Sequence, residues 1–193
     1  MRKYEYGRID VLARKLGEAG VVSETIEAIM EGGERVLRGT SPEKKAEWMR
    51  ECMARMDSLL EQKTKRSVRE SCACCLGGKR LEMSKAIARV GGGLAERIAA
   101  ANQARLVFGN SVEMQEDGRI LVRFAPEGLP EYKCGCMPKS RKPVSKTYCY
   151  CCGGHVKHHL QIALGENLEC EVRSSALSSG GRRPCSFLFT ISG

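Results

Sequence analysis

The chain has 193 residues, 42% of them hydrophobic, with eleven cysteines and a formal charge of +9. That is enough chain to bury a substantial core, in one large domain or two small ones. No apolar run reaches the length of a bilayer span, and an odd number of thiols excludes a complete internal disulfide framework.

The opening Met1–Tyr6 stretch lacks the apolar run of an export signal, so the expected compartment is cytoplasmic and the expected thiols are reduced. The positive charge is unevenly spread. Residues 1–70 carry 15 basic and 13 acidic side chains, and residues 71–193 carry 17 and 10. Within that second part, Tyr132 to Gly165 holds Lys133, Lys139, Arg141, Lys142, Lys146 and Lys157 and no carboxylate. Such a field lowers nearby thiol pKa values and attracts an anionic ligand. Few aromatic side chains interleave with it, which argues against nucleic acid.

In chain order, the spacing of Ile9, Leu12 and Leu16 and then of Ile26, Ile29 and Met30 predicts two short helices over residues 8–38. Thr40-Ser41-Pro42-Glu43 is a helix start, with a capping hydroxyl and proline in the first turn. The helix it opens is expected to run to about Lys63, with Trp48, Cys52, Met56, Leu59 and Leu60 on its apolar side. Cys52 fits that stripe and reads as core. Ser67–Leu76 is expected to be another helix or helix end carrying a first cysteine cluster, with Cys72 and Cys75 on one face. Helix continues over Leu81–Leu106, interrupted at Gly91-Gly92-Gly93.

After Leu106 the period changes. Val107–Met114 and Arg119–Phe124 read as strands around the hairpin turn Glu116-Asp117-Gly118. The loop Ala125–Lys146 holds four prolines and the pair Cys134-Gly135-Cys136. A helix follows from the Tyr148–His159 stretch, where Val156, Leu160, Ala163 and Leu164 share a face and Gly165 closes the end. Leu168–Ser174 and Cys185–Ile191 are two more strands, joined through Ser178–Pro184. The expected fold is α+β. A helical N-terminal half (1–105) packs on a small antiparallel sheet of two hairpins separated by a helix (106–193), and the two form one integrated unit.

The cysteines carry the chemistry. Cys72-Ala73-Cys74-Cys75-Leu76-Gly77-Gly78 echoes Cys149-Tyr150-Cys151-Cys152-Gly153-Gly154, and Cys134/Cys136 lie between. A helix N-terminus favours thiolate, the form that binds metal or attacks electrophiles. Paired cysteines each supply two ligands from one turn, so Cys72, Cys75, Cys134, Cys136, Cys149 and Cys151 are the expected metal ligands. Zinc and an iron–sulfur cluster both take four thiolates, and zinc stands first. His155 lies closest to the cysteines but no Glu follows it, so the zinc-protease signature is absent. Arg182 and Arg183 read as solvated turn residues.

The order hairpin, helix, hairpin over Val107–Ile191 resembles the vinyl-reductase-type domain family, a small-molecule-binding module related to vesicle-tethering TRAPP subunits. The resemblance rests on the Glu116-Asp117-Gly118 hairpin, the cysteines leading into a helix closed by Ala163-Leu164-Gly165, and the ending Gly180-Gly181-Arg182-Arg183-Pro184-Cys185-Ser186-Phe187. It also extends to bacterial proteins that carry this domain behind a helical segment. It implies an antiparallel sheet covered by helices, an apolar ligand pocket, a homodimer, and in some members zinc held by cysteines. Cys149 or Cys151 matches the first ligand position of those members and Cys185 the last, with Cys170 in the strand between. The clusters at Cys72–Cys75 and Cys134–Cys136 are additions to that pattern.

No catalytic triad, phosphate-cradling loop or acid/base carboxylate pair stands out. The expected function is a cysteine-rich metal-binding sensor or accessory protein with a pocket for a small, anionic molecule. The alternative is an enzyme using a cysteine nucleophile or a metal centre on a small substrate.

Overall fold

The apolar spacings read from the sequence organise one continuous core that runs from Tyr4 to Phe189. The computed structural model describes residues 3–192 and is α+β. Its helices are α1 (Gly7–Glu18), α2 (Ser23–Met30), α3 (Pro42–Leu59), α4 (Gln62–Ser71), α5 (Gly78–Ala88), α6 (Leu94–Gln103), the single turn α7 (Arg105–Phe108) and α8 (Tyr150–Leu164). The strands are β1 (Ser111–Met114), β2 (Ile120–Arg123), β3 (Leu168–Ser174) and β4 (Ser186–Ile191). All strand pairs are antiparallel, in the order β1-β2-β4-β3. Among the described residues no helix is long and apolar enough to cross a membrane.

The sheet has one strongly apolar face. Val122 pairs with Phe187 and Ile120 with Phe189, and across β4 these same residues meet Val172 and Cys170. Period-two alternation puts this set on one side, where all six residues are buried. α8 packs against β3 and is covered in turn by α4 and α5. It is the middle layer between the sheet and the N-terminal helices. Its end is as read: Gly165 adopts φ 75°, the left-handed cap that glycine takes without a Cβ penalty.

Three boundaries differ from expectation, each for a physical reason. The helix opened by Pro42 stops at Leu59 rather than Lys63, because Leu60 turns extended (φ −120°, ψ 143°). No glycine or proline marks that break. It redirects the chain so that Val68 and Arg69 of α4 are buried against the following layer. The first cysteine cluster is not helical: α4 ends at Ser71, and Cys72–Leu76 is loop. Cys75 takes φ 62°, a left-handed conformation uncommon for any residue with a Cβ. The carbonyls of Cys74 and Cys75 find partners outside the chain's own ladder, in His155 and His159. Finally, Val107 and Phe108 belong to the helical turn α7, and β1 starts only at Ser111. Gly109 makes that switch at φ 81°, and a Cβ there would lie 2.7 Å from Phe124 Cα.

Candidate functional site

Three segments deliver thiols to one place at the N-terminal end of α8, beside α1, α4 and α7. The Cys72–Leu76 loop follows α4 directly. The Ala125–Lys146 loop brings Cys134 and Cys136. The third segment is the first turn of α8, with Cys151 and Cys152. Cys136 and Cys152 approach to 3.7 Å between sulfurs, as do Cys74 and Cys75. Cys134 lies against Cys136, and Cys151 against Cys152.

Two cavities open on either side of this cluster. One, of about 330 Å³, is walled by Arg8, Met49, Arg69 and Tyr148 and lies toward the N-terminal helices. The other, about 300 Å³, is walled by Arg80, Arg105, Leu106, Val107 and Phe124. Cys74, Cys136 and Cys151 face both. Cys72 borders the first cavity, and Cys75 and Cys152 the second.

Histidines position the loop. His159, fully buried in α8, bonds the carbonyl of Cys75 through Nε2 at 3.1 Å and Ser84 through Nδ1 at 3.0 Å. His155, one turn earlier, reaches the carbonyl of Cys74 at 3.0 Å. Burial pushes both imidazoles below the ordinary histidine value, so they serve here as neutral donors. The histidine spacing visible in the sequence therefore serves to hold the cysteine loop in place.

The thiols divide into two kinds. Cys136 accepts from Cys134 and Cys152; these bonds, with the charges of Arg8 and Arg69, hold it far below the usual thiol value against the effect of burial. Cys151 is lowered to about 7 by the bond from Cys152 and by Arg69 and Arg8. The donors go the other way: their own hydrogen bonds, then burial, push Cys134 and Cys152 up. Cys52, inside the core, is pushed to about 12 by burial.

The expectation that Cys134, Cys136 and the whole Cys149–Cys152 run share a depressed pKa is therefore corrected: Cys136 and Cys151 are lowered, the others raised. The source of the field is also different. Lys157 pairs with Glu70 at 3.0 Å and Lys133 with Glu131 at 3.7 Å. The charges that act on the cluster are Arg8 of α1 and Arg69 of α4, from the nearly neutral part of the chain.

Arg69 is the residue that sequence reasoning missed. It is 3% exposed, and among the described residues it has no carboxylate partner. One Nη donates to the Tyr148 carbonyl at 3.1 Å, the guanidinium lies 4.9 Å from the Tyr148 ring centre, and Nε has no partner. Burial alone would lower its pKa, but Cys151, Cys72 and Tyr148 outweigh that and keep it raised. A buried cation without a carboxylate needs negative charge nearby, and the thiols are what stands there. Arg8 reaches the same place with Nη1 on the Cys136 carbonyl at 2.9 Å and on the Tyr148 hydroxyl at 3.3 Å.

Of the six expected ligands, Cys136 and Cys151 are central and Cys72, Cys75 and Cys134 border them. Cys149 is turned elsewhere: it is buried, its sulfur lies 2.9 Å from Ser175 Oγ, and burial pushes it to about 12. Cys170 is buried in the sheet face, and Cys185 accepts from the Ala176 amide at 3.4 Å. Among the described residues, no group of three or more His, Cys, Asp or Glu side chains is already arranged to hold a metal ion.

No curated protein and no solved structure matches the chain. A family model does match, over residues 18–185, which spans α2 to the residue before β4 and includes every cysteine named above. The chain belongs to the family of unknown function DUF6144.

Proposed function

We propose that this chain is a metal-binding protein of the sensor or accessory kind, with zinc or an iron–sulfur cluster held by Cys74, Cys136, Cys151 and Cys152. The observation that carries this reading is the pair of guanidinium groups, Arg8 and Arg69, that meet the thiol cluster with no carboxylate among the described residues to balance them. Four thiolates around a divalent ion leave two negative charges, and two arginines supply the matching positive ones.

The spacing supports a single ion. Zinc–sulfur bonds of about 2.3 Å in a tetrahedron put ligand sulfurs about 3.8 Å apart, and Cys136 and Cys152 stand at 3.7 Å. Cysteines on a multi-iron cluster bind different irons and stand farther apart, so zinc is placed first. Binding requires side chains to turn toward one point, and Cys74, exposed on its loop, is the side chain best placed to do so. The groove of about 300 Å³ beside the ligands offers Leu106, Val107 and Phe124 to an apolar body and Arg80 and Arg105 to an anionic head.

Anaerobic purification followed by metal analysis and a visible spectrum tests the proposal. Stoichiometric zinc, or iron with sulfide and brown colour, is the expected result, lost in Cys136→Ser and retained in Cys52→Ala. Protein that is metal-free as purified and takes up neither metal under reducing conditions overturns it. The 3.7 Å approach of a lowered Cys136 to a protonated Cys152 favours a second reading, a cysteine nucleophile acting on a small substrate. Metal-free protein in which Cys136 alkylates rapidly at neutral pH, ahead of the other cysteines, would support that reading instead.

A further inference from the structure

At the C-terminal end of β3 lies a cleft of about 530 Å³ with a different chemistry. Its walls are Lys146, Arg173, Arg182 and Arg183, with the hydroxyl residues Ser178 and Ser179 between them. Among the described residues, no carboxylate and no apolar side chain lines it.

The cations converge because the loop beneath them is built. Ser175 Oγ accepts from the Ser178 amide at 3.1 Å, and Ser179 Oγ accepts from the Arg183 amide at 3.0 Å. Gly180 and Gly181 take φ 63° and 85°, which lets the chain curl back between those bonds. Arg182 Nε donates to the Ser179 carbonyl at 2.9 Å, so its remaining guanidinium donors are left for the cleft. Lys146 is anchored at 3.4 Å on the Arg173 carbonyl. Of the four cations, Arg173 has a carboxylate neighbour, Glu171 at 3.8 Å, and the other three have none among the described residues.

Four like charges around one cavity repel each other, and the folded chain supplies almost nothing to offset them. A dianionic or more highly charged group does so. Arginine forks and serine hydroxyls together fit the tetrahedral, oxygen-rich surface of a phosphate, which accepts several charge-assisted hydrogen bonds at once. The cavity is larger than a bare phosphate needs and leaves room for the group that carries it.

We propose that this cleft binds the phosphate or diphosphate group of a small molecule. The site stands on its own cations and cavity and does not depend on metal at the cysteines. Ser175 links the two regions, since its hydroxyl supports the Ser178 turn on one side and meets Cys149 on the other.

Isothermal titration of the full chain with pyrophosphate and with ADP, at roughly physiological ionic strength of 0.15 M, tests the proposal. Saturable binding is expected for both probes. Lys146→Gln and the double variant Arg182→Gln/Arg183→Gln each weaken it about tenfold or more, the loss of one charge-assisted contact set. Arg119→Gln, a surface arginine on the β1–β2 hairpin, leaves it unchanged. Unaltered melting temperatures in Lys146→Gln and in the double variant confirm that they remain folded, since all three side chains are exposed. Absence of saturable binding by either probe, or equal binding by wild type and both cleft variants, overturns the proposal. So does a single-stranded oligonucleotide that binds through these residues and is not displaced by pyrophosphate, because the cleft would then be a nucleic-acid surface.

Discussion

Arg69 stands three residues before Cys72, yet its guanidinium acts on Cys151 and Tyr148 across the interface with α8. In the sequence it is one of fifteen basic residues in a nearly neutral stretch, and nothing local separates it from the others. The acid-free segment around Cys134–Cys152 looked like the source of the field because contiguous charge is what a sequence displays. Burial decides otherwise: exposed lysines are screened by water and salt, whereas a guanidinium in the interior is not. Arg69→Leu should therefore raise the pH at which Cys151 is alkylated from about 7 by roughly one unit, equivalent to about 1.4 kcal/mol. Site-resolved mass spectrometry after alkylation across a pH series reads this directly. Removing Lys139 or Lys142 should leave the profile in place. An unchanged Cys151 profile in Arg69→Leu would mean that the hydrogen bond from Cys152 alone sets its titration. Cys52, by contrast, was legible as core from its place on the α3 stripe, and it is fully buried.

At the scale of elements, the two cysteine motifs show what repetition in sequence does and does not transmit. Both end in a glycine pair, but Gly77 and Gly78 lie in open space while Gly153 and Gly154 are inside α8. A Cβ on Gly154 would lie 2.3 Å from the Glu70 carbonyl oxygen, and one on Gly153 would lie 2.7 Å from the Cys170 sulfur. The second pair is what lets α4 and β3 approach α8 from opposite sides. Glu70 reinforces the crossing, taking Lys157 of α8 on one oxygen and Arg66 of its own helix on the other. Gly154→Ala should cost about 3 kcal/mol or more, the upper end of overpacking, because the obstacle is backbone. Gly77→Ala should be close to neutral in the same denaturant titration, and comparable losses would place the crossing elsewhere. The approach to α8 is held by another link. Asp57 of α3 accepts from Thr147 Oγ1 at 2.6 Å and pairs with Lys65 at 3.1 Å. Burial opposes ionisation there, but hydrogen bonds from Ser145, Thr147 and Lys65 outweigh it and hold the carboxyl below its ordinary value. A depressed carboxylate contributes stability that is complete above the unfolded-state pKa of about 3.9 and is lost as pH falls through the lower folded-state value. Asp57→Asn should flatten that acid limb of the melting-temperature profile relative to wild type, and an unaltered limb would assign it to other carboxylates.

For the molecule as a whole, the α+β class, the two hairpins and the central helix were legible because each rests on a period of two or 3.6 residues. The assembly of the site was not, since it depends on where two irregular loops, the first turn of α8 and two arginines from α1 and α4 meet. Spacing within a motif suggested Cys72 with Cys75 and Cys149 with Cys151 as ligand pairs. The fold instead turns Cys149 toward Ser175 and brings Cys136 to Cys152. This difference supplies a test at the level of global stability. Under the proposed ligand set, metal bridges the Cys72–Leu76 loop, the Ala125–Lys146 loop and α8, so binding energy adds to folding energy. Removing metal with a chelator should lower the wild-type melting temperature. Cys74→Ser should melt with metal-free wild type and respond little to added metal, because its side chain is exposed and contributes little else. Cys149→Ala should behave in the opposite way. It opens a small gap and leaves Ser175 short of a partner, a loss of about 1–3 kcal/mol that is the same with and without metal. Thermal melts of the three proteins in both states distinguish these patterns. If Cys149→Ala loses the response to metal and Cys74→Ser keeps it, the ligands are those the sequence motif suggests, and α8 must rotate its first turn to present them.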